Sequence, residues 1–200
     1  DYTHDVGKHD TEYLPEATRH WTKKRYWHKL NNIAQELLSC SSDNGGIPDL
    51  IALCEVENDS VMRDLTKRSL LRNAGYEYLM TSSPDVRGID VALLYSPYSF
   101  APICSYGIRV KPIEGMRATR DILYACGETV SGDTLHVFVV HQPSRFGGEK
   151  YSRPFRRVVA DRVCASVDSI RALSPDAKVL IAGDFNDGAH SPSLQQYDLV

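Results

Sequence analysis

The chain has 200 residues, of which 42% are hydrophobic and 24% are charged. This length and composition predict one globular domain with a buried core. No stretch approaches the roughly 18 apolar residues that a membrane-spanning helix needs, so we expect no membrane span. The formal net charge of −3 argues against a protein that coats duplex nucleic acid through a basic surface.

Cysteine usage and the N-terminus say little about the compartment. Five cysteines are spread along the chain without a C-x-x-C spacing, which favours neither a zinc site nor a disulfide framework. The first residue is Asp1 rather than methionine, which indicates either a removed leader or chosen boundaries. The compartment therefore stays open, with a lean toward an exported or cell-envelope protein, and we expect a monomer.

The first half of the chain predicts two helices around a short apolar strand. Thr22 is a suitable N-cap for a helix over 23–38, where apolar residues recur at helical spacing. A turn-forming sequence over 43–46 ends this helix. A strand over 50–54 follows, and a second helix is predicted over 60–73.

The second half predicts mostly strands. Strand-like segments rich in β-branched and aromatic residues cover 76–80, 89–95, 103–110, 119–126 and 135–140. A third helix is predicted to begin near Pro154, since proline is favoured in a first helical turn. The seventh strand covers 178–182. Helices between some strands and hairpins between others predict an α/β or α+β fold with mixed sheets.

Polar residues able to bind a metal or a phosphate follow three of the seven predicted strands. Glu55 follows the first strand, His141 the sixth, and Asp184 and Asn186 the seventh. In open α/β sheets, ligands bind beyond the strand ends, where the loops diverge. Each segment alone has an ordinary alternative, namely a solvated acid, a hydrogen-bonded structural histidine or an Asx turn. Three strands that all end in this way favour a functional site.

Four segments together resemble the deoxyribonuclease I-like endonuclease/exonuclease/phosphatase superfamily, in order and in spacing. They are PDLIALCEVEN at 48–58, RGIDVALLY at 87–95, HQPS at 141–144 and GDFND at 183–187. Cys54 stands where many relatives have glutamine, directly before Glu55. The resemblance covers nearly the whole chain. It implies a four-layer α/β (α+β) sandwich of two mixed β-sheets flanked by helices, as a single domain over 1–200.

The resemblance also implies a role for each of the four polar residues. Glu55 would bind a divalent cation, Mg²⁺ or alternatively Mn²⁺, since oxygen ligands suit these ions. His141 would donate a hydrogen bond to a phosphate oxygen as charge builds up in the transition state. Asp184 would orient or deprotonate the attacking water, and Asn186 would hold the scissile phosphate or the metal's water.

Other polar residues have two interpretations each. By the same resemblance Arg120 faces the substrate phosphate, with a surface ion pair to Asp121 or another carboxylate as the alternative. Ser144 and Arg145 would contact the leaving group, unless they belong to an ordinary loop. Asp90 lies inside an apolar strand and needs a partner, either in the site or in a structural hydrogen bond.

The family usually also has an asparagine on a first strand and an Asp-His pair near its C-terminus, and these 200 residues contain neither. We expect a piece of a longer domain that lacks the first strand and the C-terminal strands. In that case the 200 residues alone should fold poorly and hydrolyse little, because sheet edges stay exposed. The sequence thus predicts a metal-dependent phosphoesterase acting on nucleic acid or a small phosphodiester. The alternative is a non-catalytic relative that binds metal or phosphate as a scaffold.

Overall fold

Two β-sheets lie face to face, and each carries helices on its outer side. This computed structural model describes residues 11–40, 46–188 and 190–195, so most of the turn predicted over 43–46 lies outside the described residues. The arrangement of layers is helix, sheet, sheet, helix. The predicted four-layer α+β sandwich is therefore confirmed.

The smaller sheet has three strands in the order β1-β3-β2. Its strands are β1 (Leu50–Val56), β2 (Glu77–Met80) and β3 (Asp90–Tyr95). Both pairings are antiparallel. Among the described residues this sheet is thus antiparallel throughout, whereas the sequence predicts two mixed sheets.

The larger sheet has four strands that lie in chain order. They are β4 (Phe100–Ile108), β5 (Ile122–Thr129), β6 (Thr134–His141) and β7 (Lys178–Asp184). β4, β5 and β6 pair antiparallel, and β7 joins β6 in parallel after a helical crossover. This sheet is the mixed one, and its parallel pair brings the ends of β6 and β7 together.

Helices cover the outer face of each sheet. The helices are α1 (Lys23–Ser39), α2 (Asp59–Lys67), α3 (Glu149–Leu173) and α4 (Pro192–Gln195), with 3-10 turns at Thr11–Tyr13 and Leu70–Asn73. α1 begins after Thr22, which caps it as predicted. In α1, Tyr26 and Leu30 pack against Leu94 of the smaller sheet, and in α3 Val163 packs against Phe138 of the larger one. Within the described residues, no helix has the length and apolar character to cross a membrane.

Two helix predictions need correction. The helix predicted over 60–73 is two pieces, because the Ser69 hydroxyl donates to the Leu65 carbonyl and accepts the Leu71 N–H, which starts a new 3-10 turn. The third helix begins at Glu149 rather than near Pro154. The Ser152 N–H donates to the Gly148 carbonyl at 3.0 Å, so a helical turn is complete before the proline.

The layer between the two sheets is apolar and holds the strand ends in place. Side chains from both sheets form it, with Val91, Leu93, Leu123, Ala125, Val137 and Val139 all buried. Residues 137–140 of β6 are buried throughout, which fits a strand covered on both faces, whereas β1 and β7 are only partly buried. The Cys54 thiol donates to the Val140 carbonyl at 3.7 Å. This contact brings the end of β1 next to the end of β6.

Candidate active site

His141 and Asp184 lie side by side at the ends of the parallel pair β6 and β7. They are partners in the strand register, and the His141 Nε2 atom lies 3.8 Å from Asp184 Oδ2. The Gln142 N–H donates to the Asp184 carbonyl at 2.9 Å, which continues the pairing one residue further. The two side chains that the sequence assigns to catalysis are therefore adjacent, although 43 positions separate them.

A glycine directly before Asp184 allows the two strands to approach this closely. Gly183 has a φ of +136°, a backbone angle that residues other than glycine rarely adopt. A Cβ atom at this position would lie 1.9 Å from the Val140 carbonyl oxygen. The Gly-Asp segment therefore needs its glycine for a steric reason, and that reason is specific to the β6–β7 pair.

Asn186 is fixed by two hydrogen bonds and a left-handed backbone. Its φ is 51°, a region in which asparagine is one of the tolerated residues. The backbone N–H donates to Asp184 Oδ1 at 2.8 Å, and the side-chain Nδ2 donates to the Gln142 carbonyl at 2.9 Å. The Asx turn considered as an ordinary alternative is thus present. It holds Asp184 with its second oxygen toward His141.

Glu55 occupies a β-bulge at the end of β1. The β1–β3 register shifts between Cys54 and Val56, and Glu55 has a φ of 60°. A left-handed residue other than glycine costs about 1–3 kcal/mol and is typical of functional sites, and bulges redirect side chains. The Glu55 side chain is 62% exposed and lies 3.6 Å from the Arg87 guanidinium. The bulge therefore presents a carboxylate to solvent at the edge where His141 and Asp184 lie.

A chain of charged contacts connects Glu55 to the strand that carries His141. Arg87, which contacts Glu55, also lies 3.9 Å from the Asp85 carboxylate, and Asp85 in turn pairs with Arg120 at 3.2 Å. Arg120 Nη2 then donates to the carbonyls of His141 at 3.0 Å and Gln142 at 2.8 Å. The loop over 85–87 and the residue Arg120 thus bind the bulge and the histidine strand to each other.

Arg120 is buried, with 6% of its surface exposed. Burial lowers its pKa, and the neighbouring Asp85 opposes that shift. The alternative of an ion pair is present in part, since Arg120 pairs with another carboxylate, Asp85, at 3.2 Å, but the pair is buried and not at the surface. Asp121 instead pairs with Arg109 at 2.8 Å. Arg120 therefore supports the backbone of the site, and direct contact with a phosphate stays a prediction.

The environment of His141 keeps its imidazole neutral. His141 is 5% exposed. Burial, together with a smaller effect of the Arg120 charge, lowers its pKa to about 4, and Asp184 opposes the shift. Its Nδ1 atom is buried and has no hydrogen-bond partner among the described residues. At neutral pH the ring therefore carries one N–H, which suits a hydrogen-bond donor that adds no charge of its own.

Lowering the pH below about 6.5 is expected to destabilise the fold through His141. The unfolded imidazole binds a proton below its ordinary pKa of 6.5, whereas the folded one resists protonation down to about 4. The unfolded state therefore binds more protons in this window, and stability falls as the pH falls. Urea midpoints at about pH 7 and about pH 4.5 test this, with His141→Gln as the variant that cannot titrate. Equal losses in both proteins would contradict the expectation.

The loop after His141 supports Asn186 from outside. Arg145 donates through Nε to the Asn186 carbonyl at 3.1 Å and through Nη2 to Asp187 Oδ1 at 2.8 Å. Asp187 also accepts from Arg156 Nε at 3.1 Å, and the Arg156 side chain is fully buried. Ser144 is exposed, and its hydroxyl accepts the Phe146 N–H at 3.4 Å. Substrate contacts by Ser144 and Arg145 stay predictions.

Four charged residues that support the site were not predicted from the sequence, namely Asp85, Arg87, Arg156 and Asp187. Arg87 and Asp187 lie inside the segments that carry the family resemblance, which could have indicated a role in the site. Asp85 and Arg156 lie outside those segments. Asp90 follows its structural alternative, because it accepts hydrogen bonds from Thr81 Oγ1 at 2.7 Å and the Ser83 N–H at 2.8 Å.

The side chains present fit a hard cation held mainly by water. The carboxylates of Glu55 and Asp184 are 62% and 54% exposed. Across the described ranges, no three His, Cys, Asp or Glu residues form a group that could hold a metal. Mg²⁺ commonly takes only one or two protein carboxylates and completes its shell with water and substrate oxygens. Glu55 therefore fits as a ligand of Mg²⁺.

Sequence comparison gives one family. A sequence model described as the Endonuclease/Exonuclease/phosphatase family matches residues 1–198. No curated protein is similar enough in sequence to count as a match. The family match covers every residue of the site.

Solved structures give the same fold at low identity. The human nocturnin catalytic domain with bound sulfate superposes with a TM-score of 0.66 at 18% identity, covering 86% of this chain and 62% of that one. TDP2 from C. elegans superposes with a TM-score of 0.61 at 18% identity, covering 84% of this chain and 45% of that one. The mannosyl-6-phosphatase of Bacteroides thetaiotaomicron VPI-5482 superposes with a TM-score of 0.63 at 16% identity, covering 86% of this chain and 61% of that one. The present chain thus spans less than two thirds of each of these structures.

Proposed function

The chain belongs to the endonuclease/exonuclease/phosphatase family, and from this premise we propose that it is a divalent-metal-dependent phosphoesterase. The observation that carries the proposal is the meeting of three groups at one edge of the sandwich. They are an exposed carboxylate on a strained bulge, a buried neutral histidine, and an exposed aspartate 3.8 Å from that histidine. An ordinary structural role requires neither the strain at Glu55 nor a buried His141 Nδ1 atom without a hydrogen-bond partner among the described residues.

The proposed reaction is attack of water on phosphorus. The water oxygen forms a bond to phosphorus, the ester bond breaks, and the leaving oxygen takes a proton from solvent. Asp184 orients the water and accepts its proton, and His141 donates its N–H to a non-bridging phosphate oxygen. Asn186 is held by Gln142 and Arg145, so that its amide is fixed in position for the phosphate or a bound water.

Glu55 would hold the divalent cation, Mg²⁺ or alternatively Mn²⁺, which when bound supplies positive charge to the phosphate oxygens. Two of the proteins with similar structures support a function in phosphoester hydrolysis. One is called a mannosyl-6-phosphatase, and the nocturnin domain binds sulfate, a tetrahedral anion like phosphate.

A panel of phosphoesters assayed with Mg²⁺, Mn²⁺ or a chelator tests the proposal on the full-length protein. We expect hydrolysis with either metal and none with the chelator. Glu55→Gln should raise the metal concentration needed for half-maximal rate by at least about tenfold. Mutating residues that only orient a metal ligand already lowers metal affinity by about tenfold or more, and loss of the ligand itself should lower it at least as much. Glu128→Gln removes an exposed carboxylate on β5 and should change nothing.

Two outcomes would contradict parts of this proposal. Turnover that persists in the chelator would exclude metal dependence. Tight binding of metal and phosphoester without any product would favour the alternative, a relative that acts as a binding or scaffold module.

A further inference from the structure

A pocket of about 380 Å³ lies directly beside the candidate active site. Its walls come from the loop over 85–87, the segment over 115–120, and the chain after His141 up to the first turns of α3. It adjoins the site because Arg87 also contacts Glu55 and Arg120 also contacts the His141 carbonyl. A phosphoester bound at the site would therefore place one of its organic groups in this pocket.

One wall of the pocket is aromatic and exposed. Phe146 is 84% exposed and Tyr151 is 56% exposed, and Tyr151 packs edge-on against Phe155 at 5.2 Å between ring centroids. Large aromatic side chains gain free energy when they are covered, so two exposed rings beside a polar site point to a ligand.

Neighbouring loops hold the position of Tyr151. Its hydroxyl donates to the Gly115 carbonyl at 3.4 Å, which joins the first turn of α3 to the segment over 115–120 across the pocket. Its ring lies so close to Gly147 that a Cβ atom there would come within 2.9 Å. Gly147 has a φ of +81°. The wall is thus built around this ring.

The rest of the pocket is basic and includes polar atoms that could accept or donate further hydrogen bonds. Three arginines and a single aspartate line it among the described residues, within a chain whose net charge is −3. At its inner end, Thr119 Oγ1 and Arg120 Nε are buried without a hydrogen-bond partner among the described residues. Most buried polar atoms have such a partner. An anionic ligand with a flat aromatic group matches this combination.

We propose that this pocket binds an unpaired nucleobase adjacent to the scissile phosphate. The inference rests on the proposed phosphoesterase function and names its substrate class as nucleotides or single-stranded nucleic acid. Aromatic side chains stack on bases of any sequence, and arginine guanidinium groups bind phosphate and stack on rings. The volume is near the lower end for ligand pockets, which suits one base rather than a base pair.

Binding of adenosine 5′-monophosphate and of ribose 5-phosphate, measured by calorimetry, tests this assignment. The two ligands share a phosphate and a sugar, and only the first has a base. The full-length protein with Asp184→Asn is used in Mg²⁺ so that turnover does not interfere. We expect the nucleotide to bind at least about tenfold more tightly, since stacking of one base commonly has this effect.

Phe146→Ala combined with Tyr151→Ala should remove this preference and leave ribose 5-phosphate binding unchanged. Phe146→Ala alone, at the more exposed position, should reduce the preference, which covers the case in which the double variant fails to fold. Tyr98→Ala is the matched control, since Tyr98 is 87% exposed in the turn between β3 and β4. Equal binding of the two ligands, or a preference that survives the double variant, would overturn the assignment.

A short oligonucleotide separates the two sources of such a base. Tighter binding of a single strand than of the mononucleotide would identify nucleic acid as the substrate, and the reverse would identify nucleotides. A blunt duplex that binds as tightly as the single strand would overturn the requirement for an unpaired base. If the base preference is found but no phosphoester is hydrolysed, the pocket assignment stands and the proposed function fails.

Discussion

Replacing Asp184 with asparagine is expected to lower phosphoester turnover by at least about 100-fold, without loss of the fold. Asparagine keeps an oxygen that can accept the Asn186 N–H, so the Asx turn at the end of β7 remains. What disappears is the negative charge 3.8 Å from His141 and the ability to take a proton from water. Because the side chain is 54% exposed, its charge contributes little to stability.

Steady-state kinetics on the full-length protein tests this expectation. The loss should lie in kcat, since the carboxylate acts on the water rather than on substrate binding. Asp176→Asn is the matched control, because Asp176 is exposed just before the other end of β7. If Asp184→Asn leaves the rate within about twofold of the wild type, Asp184 has no role in proton transfer or water orientation.

Gly183→Ala is expected to destabilise the fold by about 3 kcal/mol or more, because it combines a steric clash with a disfavoured backbone angle. The new methyl group would lie 1.9 Å from the Val140 carbonyl oxygen, and a backbone atom in a sheet cannot rotate away. Separating β7 from β6 would relieve the clash but would also break the pairing of Asp184 with His141. Activity should therefore fall together with stability.

Urea unfolding of the wild type and two variants tests the steric argument. Gly188→Ala is the matched control, since a Cβ atom there meets nothing within 4 Å and its φ is not positive. We expect a change within about 0.5 kcal/mol for Gly188→Ala. A Gly183→Ala protein as stable as the wild type would mean that β6 and β7 are not as close as described.

Much of the fold followed from the sequence because its signals are local. The helical spacing after Thr22 predicted α1, and α1 begins at the residue after that cap. The β-branched and aromatic residues over 135–140 predicted a strand, and β6 covers them. The start of α3 was wrong, since Pro154 is favoured in a first turn and yet lies in the second turn of a helix that the Gly148 carbonyl already nucleates.

The candidate site was only partly predictable. The sequence supplied Glu55, His141, Asp184 and Asn186, and the family match covers the segments that carry them. It gave no indication that Arg120 would be buried against Asp85, because the two residues are 35 positions apart. Arg156 and Asp187 are 31 positions apart, and helical periodicity assigns no partner to an arginine.

The sequence by itself determined which elements form, in which order, and which reactive side chains follow the strand ends. Hydrogen-bonding periods, caps and turns depend on neighbouring residues, so they can be inferred along the chain. Only the tertiary structure decided that Glu55 lies in a left-handed bulge and that burial lowers the pKa of His141 to about 4. Strand register, burial and charge contacts depend on residues that are distant in sequence, such as Cys54 and Val140, 86 positions apart.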